Sequence, residues 1–424
     1  MAAVEDGFAG IRKKRQHFLF AEFGADGSEI KPSERNCIMN VIYLSPHFPP
    51  NYYLFCVHLR KAEAKVLGIG DAPYESLRQE LREGMTEYYR VDTMEDYDLL
   101  LRACGYFTHA YGRIDRVESH NEYWLESEAR LRTDFNIPGI KTHQLARLVS
   151  KAEMKKMFQN AGVAVAKGRV IKNAESARSF AKETGYPVVV KPDRGVGAAN
   201  TFRINSDAEL EKFLTTMPPV RYFMEEFVTG TICSFDGLTD RDGNIVFHTA
   251  HVFSQGIMET VNEDRDIFYY SLREIPEDLE KAGRNSVRAF DIREKFFHIE
   301  YFRTPDNRIV GLEINARPPG GMTTDMFNYA NNIDVYMGWA EMLVKNRFPF
   351  VYSRPCHCGY IGRKINKCYT HSHRDIMQKY GELIVCHGPV ESVFSAAIGN
   401  YAYIANSRNS EELRAAAAFI QETA

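Results

Sequence analysis

The stretch His298–Gly321 reads HIEYFRTPDNRIVGLEINARPPGG. Its two apolar-rich runs, His298–Phe302 and Val310–Ile314, predict a β-hairpin. Glu300 lies on the first strand, and Glu313 and Asn315 lie on the second. Residues two apart face the same side of a strand, and antiparallel pairing can bring Glu300 beside the other two. Three oxygen-bearing side chains gathered on one face of apolar strands are costly to bury without a cation. Hard oxygen donors that leave room for phosphate and water suit one or two Mg²⁺, with Mn²⁺ as an alternative. Val310, Leu312 and Ile314 are expected to form the opposite, apolar face. Arg317, two residues beyond Asn315, places a guanidinium at the rim, suited to a carboxylate or a transferring phosphoryl group.

Upstream, YFMEEFVTG (Tyr222–Gly230) is a strand end carrying Glu225 and Glu226. Backbone groups here could read an adenine edge, with one carboxylate accepting from its amino group. Farther upstream, VVVKP ends in Lys191 and Pro192 and runs into DRGVGAANT (Asp193–Thr201). A lysine at the end of an apolar strand, beside a loop containing Gly195 and Gly197, suits a polyphosphate. No GxxxxGK[ST] occurs, so this is not a P-loop. Asp236, in SFDG, reads either as a ribose or amine contact or as a β-turn aspartate.

Around this centre the chain alternates strand and helix. NVIYLSP (Asn40–Pro46) and AKVLGIGD (Ala64–Asp71) are strands flanking a helix, and the rhythm continues through YFTHAYG (Tyr106–Gly112). An open parallel sheet is the natural solution. Gly68 and Gly70 supply only GxG, better read as a strand-ending turn than as a dinucleotide fingerprint. Glu118–Phe135 reads as helical and Asn136–Gly139 (NIPG) closes the first domain. A helix over about 141–160 carries Lys151, and a strand–helix–strand unit follows it. The tail ends with the strand YAYIANS and the helix EELRAAAAFIQ. Residues 1–36, with the basic run IRKKRQH, read as a solvated leader. HVFSQGIMETVNEDRDIFYYS (His251–Ser271) is expected to line a substrate pocket, with Tyr269 and Tyr270 over it. Cys356, His357, Cys358, Cys368, His371 and His373 lack zinc-site spacing, and strand alternation accounts for Cys356 and Cys358.

Composition narrows the function classes. The 424 residues are 44% hydrophobic, 26% charged and 12% aromatic, as in a globular protein. Lys plus Arg number 53 against 56 Asp plus Glu, a net charge of −3. Nucleic acid or an anionic membrane as main partner would need a basic excess. No apolar run reaches the roughly 20 residues of a membrane span, and Met1–Ala9 has no signal pattern. Eight cysteines are too sparse for a disulfide scaffold, so a cytoplasmic location is expected.

The ordered set of Lys151, Lys191 before a small glycine loop, EEFV, Glu300, Glu313, Asn315 and Arg317 resembles the ATP-grasp superfamily from about Asn40 onward. EINARPPGG is similar to the E-x-N-x-R-x-x-G signature of its carboxylate–amine ligases, which include amino-acid and dipeptide ligases. The resemblance implies a mixed α/β and α+β architecture. A Rossmann-like pre-ATP-grasp domain would span 37–140, a lid subdomain 141–228, and a second subdomain with a mixed sheet 229–424. It also implies roles for individual residues. Lys151 and Lys191 would meet ATP phosphates, and Asp193, Gly195, Val196 and Gly197 would belong to a covering lid. Glu225, with Glu226, Phe227 and Val228, would hold adenine. Glu300, Glu313 and Asn315 would bind magnesium, and Arg317 would steady an acyl phosphate. The lid has fewer glycines than glycine-dense relatives. The implied reaction joins a small carboxylate, such as an amino acid, to an amine; a homodimer is compatible with it. A biotin carboxylase-like or purine-pathway carboxylating enzyme, and an inactive nucleotide sensor, are the competing readings.

Overall fold

A computed structural model describes residues 38–195, 200–256, 260 and 263–424. The leader 1–36 and the lid residues Val196 and Gly197 lie outside the described residues. Strands β1 (Asn40–Leu44), β2 (Lys65–Gly70), β3 (Glu87–Arg90) and β4 (Arg116–Glu118) form the first sheet in the order β3-β2-β1-β4. Every pair in it is parallel, as the alternating strands and helices predict. All five residues of β1 are buried, which explains its unbroken apolar run. YFTHAYG is not a strand: it is the end of the helix Tyr97–Tyr111, which starts at the Asp96 cap. Phe107 is buried with Leu100, Ala103 and Cys104, a spacing of i, i+3, i+4 and i+7 that is helical and not strand-like.

The short β5 (Ala164–Val165) belongs to the largest sheet. β6 (Gly168–Val170), β7 (Val188–Pro192), β8 (Phe202–Ile204) and β9 (Tyr222–Glu226) make a separate antiparallel sheet in the order β6-β9-β7-β8. The helices Ala174–Thr184 and Asp207–Thr216 bury Phe180 and Phe213 in a core with Val188, Val190 and Met224. The largest sheet is completed by β10 (Thr231–Thr239), β11 (Ile245–Phe253), β12 (Phe268–Ser271), β13 (Phe296–Arg303), β14 (Ile309–Asn315), β15 (His357–Arg363), β16 (Ile384–Pro389) and β17 (Tyr401–Ser407). Its order is β16-β17-β15-β12-β11-β10-β13-β14-β5, antiparallel except where β14 meets β5.

Two contacts position the central hairpin. The first is a buried charge cluster. Arg132 meets Glu118 at 3.1 Å and Glu128 at 2.8 Å. Lys295, just ahead of β13, meets Glu128 at 3.0 Å and also pairs with Glu118. Each charge has a partner, which a buried ion requires, and the cluster joins β4 to the start of the hairpin. The second contact sets the helix Lys151–Asn160 against β14. A Cβ on Gly311 would lie 2.8 Å from Cγ of Phe158, so only glycine allows this approach. Gly311→Ala is expected to lower stability by about 1–3 kcal/mol through overpacking, read as a lower urea midpoint at unchanged m-value.

Candidate functional site

A cavity of about 680 Å³ lies between the β6–β9 sheet and the β13–β14 hairpin. Strand register explains its floor. Glu300 pairs with Glu313, and His298 with Asn315, so all four side chains share one face, and all four line the cavity. The other face carries Ile299, Tyr301 and Ile314 into the core. Val310 and Leu312 do not join them, contrary to strict alternation. The ladder slips between Glu300 and Tyr301, with Tyr301 opposite Gly311, so Leu312 is an inserted residue. This bulge turns Val310 and Leu312 into the cavity beside Phe302.

Lysines form the facing wall. Lys151 and Lys155 sit one turn apart on the helix that Ser150 caps, and Lys191 is the penultimate residue of β7. Lys151 is 3.0 Å from Glu313, Lys155 is 2.9 Å from Glu225, and Lys191 is 2.5 Å from Glu225. Burial alone would raise the Glu225 carboxyl, but the two lysines outweigh it and bring the group down to about 2. Glu313 is likewise raised by burial and then lowered to about 2, chiefly by Lys151 and Lys191. For Lys155 burial prevails, and its pKa is lowered despite Glu225.

These contacts revise several sequence expectations. Glu225 faces Lys155 and Lys191 with both oxygens, so in this structure its carboxylate is directed at the lysines and not at an adenine edge. Asp193 lies behind the lysine wall and not in the cavity. Its carboxylate accepts from Ser150 Oγ (3.0 and 2.9 Å) and the Ala152 amide (3.0 Å), anchoring the helix that bears Lys151. Gly195 lines the cavity, as do Glu226, Phe227 and Val228. The Glu226 carboxylate accepts from the Lys167 amide at 2.9 Å. The Glu226 and Phe227 amides donate to the Lys167 and Pro187 carbonyls, whereas the Val228 amide has no backbone acceptor among the described residues.

Asp236 is neither at a turn nor at a rim. It sits mid-strand in β10, fully buried, opposite His298, and accepts from Ser234 at 2.5 Å. Its oxygens meet His298 Nδ1 at 2.5 Å and His251 Nδ1 at 2.7 Å. Burial disfavours the charged His298 ring, yet the Asp236 carboxylate outweighs that and raises it to about 10. His298 Nε2 then points to Glu300 at 3.5 Å. Tyr269 lines the cavity, but Tyr270 turns to the opposite face, where Arg414 donates to its hydroxyl. Adjacent strand residues cannot both cover one pocket.

Glu122, in the turn after β4, accepts from Arg317 Nη2 at 3.1 Å. With the Asn315 amide oriented to satisfy both its atoms, Asn315 Nδ2 also donates to Glu122, at 3.1 and 2.7 Å. That orientation leaves Asn315 Oδ1 as the free acceptor. Two carboxylates and one amide oxygen on a single face, with Lys151 supplying a positive charge to Glu313, fit a Mg²⁺-type cation. Among the described residues, no cluster of three or more His, Cys, Asp or Glu has metal-binding geometry; the third oxygen on the face of Glu300 and Glu313 is the Asn315 amide. The C-terminal Cys/His group forms no such cluster either; Cys358 is a buried strand residue and Cys356 is partly covered.

Lys155 was legible in principle from its i,i+4 spacing to Lys151. Glu122 and His298 carried no local signal. For Glu225 the folded carboxyl titrates near 2 against 4.5 unfolded. Its contribution to stability is complete above the unfolded value and is lost as pH falls from there toward 2. Wild-type protein is therefore expected to lose about 3 kcal/mol more than Glu225→Gln between pH 5 and 2, measured by urea unfolding at each pH.

A family model described as the ATP-grasp domain matches residues 184–325. An L-arginine-specific L-amino acid ligase of Bacillus subtilis is 24% identical over 240 residues, covering 53% of this chain and 56% of that protein. The chain thus spans little more than half the length of that curated relative. Among solved structures, an L-amino acid ligase from Bacillus licheniformis superposes with a TM-score of 0.70 at 15% identity, covering 89% of this chain and 96% of that one. N5-carboxyaminoimidazole synthetase from Staphylococcus aureus complexed with ADP gives a TM-score of 0.67 at 13% identity, covering 89% and 96%. Hairpin, lysine wall and these likenesses agree: residues 184–325 carry an ATP-grasp domain, and the chain has the ATP-grasp fold.

Proposed function

We propose that the protein is an ATP-dependent carboxylate–amine ligase acting on an amino acid or similar small carboxylate through an acyl phosphate. The observation that carries this reading is the placement of Lys151, Lys155 and Lys191 across one cavity from Glu300, Glu313, Asn315 and Arg317. Adenine would lie on the apolar surface of Val310, Leu312 and Phe302, with the Val228 amide and the Glu226 carbonyl reading its edge. The phosphates would draw the lysine ammoniums, and Lys151 would release Glu313. Glu300, Glu313 and the Asn315 oxygen would then hold Mg²⁺. When bound, the metal neutralises phosphate charge and orients the γ-phosphoryl group.

In this scheme a substrate carboxylate oxygen attacks the γ-phosphorus and the bond to ADP breaks. Arg317, braced by Glu122, holds the carboxylate and the charge that develops on the acyl phosphate. The amine nitrogen then attacks the acyl carbon, the bond to phosphate breaks, and one proton leaves the nitrogen. His298 is already protonated, so it can donate a hydrogen bond but cannot accept that proton; the amine arrives neutral and the departing phosphate takes the proton. A cavity shielded from water would keep the acyl phosphate from hydrolysis.

The amine distinguishes this reading from a carboxylating enzyme, and turnover distinguishes it from a nucleotide sensor. No helix among the described residues is long and apolar enough to cross a membrane. ADP release is expected only when an amino acid and an amine-bearing partner are both supplied, with an amide product in mass spectra. Release driven by bicarbonate alone, or none with a broad amino-acid pool, would exclude a ligase. Glu313→Ala is expected to abolish turnover. Glu122→Gln should raise the KM for the carboxylate substrate about tenfold or more by loosening Arg317, with a smaller effect on ATP affinity. Equal loss for both substrates would show that Glu122 supports the fold rather than Arg317.

A further inference from the structure

We propose that the end of the cavity beyond Arg317 is a subsite for a neutral, apolar side chain on the carboxylate substrate, and that it rejects cationic side chains. This rests on the ligase reading above and specifies its substrate class. Phe253, Ile267, Tyr269, Pro319, Phe394 and Ile398 line this end. Ile267, Tyr269 and Tyr360 belong to one apolar cluster, with Phe253 and Ile398 packed against it. The Phe253 and Tyr269 rings stack at 5.0 Å, and Tyr269 stacks on Tyr360 at 5.1 Å. Gly321, at φ +64, packs so close to Ile398 that a Cβ there would sit 2.7 Å from its Cδ1.

The polar atoms at this end are already paired. The Tyr269 hydroxyl bonds Thr323 Oγ1 at 2.9 Å, Ser254 Oγ accepts from the Phe268 amide at 3.4 Å, and Gln255 donates to the Asp266 carbonyl. The carboxylates among the described lining residues, Glu225, Glu226, Glu300 and Glu313, belong to the lysine wall, the adenine segment and the hairpin. Three nearby acids are engaged elsewhere: Asp264 pairs with Lys364 at 2.8 Å, Asp266 pairs with Lys367 at 3.3 Å, and Asp325 accepts from Asn51 Nδ2 at 3.2 Å and the Tyr336 hydroxyl at 3.0 Å. Among the described residues no unpaired carboxylate lines this wall, so a guanidinium placed against them would lose water without gaining a counter-ion from them. An aromatic or branched aliphatic side chain would gain from burial there. Arg317 stands two residues from Pro319, so a substrate whose carboxylate it holds can lay its side chain on the wall. The specificity expected here therefore differs from that of the arginine-specific relative.

The test uses the full chain with ATP, Mg²⁺ and an excess of alanine as amine. Phenylalanine, leucine, methionine, arginine and glutamate are compared by ADP release and by product mass. Phenylalanine or leucine should exceed arginine in kcat/KM by about tenfold or more. Ala397→Asp, which adds a carboxylate to the lining, should narrow that ratio about tenfold or more, with ADP binding as the check on folding. Arginine turned over as well as or better than phenylalanine would overturn the subsite while leaving the ligase reading intact. Bicarbonate-driven ADP release, or none at all, would remove the ligase reading instead. The subsite is then judged by thermal stabilisation in the presence of ADP and Mg²⁺. A shift with phenylalanine and not with arginine supports it, and a shift with arginine, or with neither, overturns it.

Discussion

The site depends on keeping several charges ionised in a largely buried cleft. Lys151, Lys155 and Lys191 would each be costly to hold without counter-charge, as would Glu225 and Glu313. Paired as they are, the lysines keep both carboxyls near 2, far below the usual range. On the proposed reading, polyphosphate would bind by exchange: a phosphate would replace a carboxylate as the partner of a lysine, and Glu313 would become available to a cation. The Lys151–Glu313 contact would then couple nucleotide to metal.

The pairing stays in place because each partner rests on a different rigid element. Asp193 anchors the N-terminal turn of the helix of Lys151 and Lys155, the Gly311–Phe158 approach seats that helix on β14, and the Lys295 cluster ties β13 to the first sheet. From the first sheet's side, Glu122 reaches Asn315 and Arg317. Charged residues outside the hairpin thus hold the hairpin's own functional side chains in register.

The bulge at Leu312 divides the cavity chemically. Toward β9 it exposes Val310 and Leu312 as an apolar surface, while Glu313 and Asn315 keep the polar face next to it. A regular strand would have sent those two aliphatic side chains into the core. Beyond Arg317 the wall becomes apolar again, so the polar centre lies between two apolar ends of one cavity.

Much of this was legible in the chain itself. HIEYFRTPDNRIVGLEINARPPGG determines a hairpin whose Glu300, Glu313 and Asn315 share a face, because strand periodicity and antiparallel pairing are local rules. The alternating strands and helices of residues 40–118 determine a parallel sheet for the same reason, although YFTHAYG misleads because aromatic-rich segments suit either periodicity. Which carboxylate meets which lysine was decided only by tertiary structure. Glu225 looked available to adenine and Asp193 to the lid, yet both carboxylates meet partners that packing brings near. Asp236 lies at the centre of a histidine pair, and Glu122 reaches the site across 195 residues of sequence. Electrostatic partners are set by distance in space and by burial, and neither quantity is written in local residue spacing.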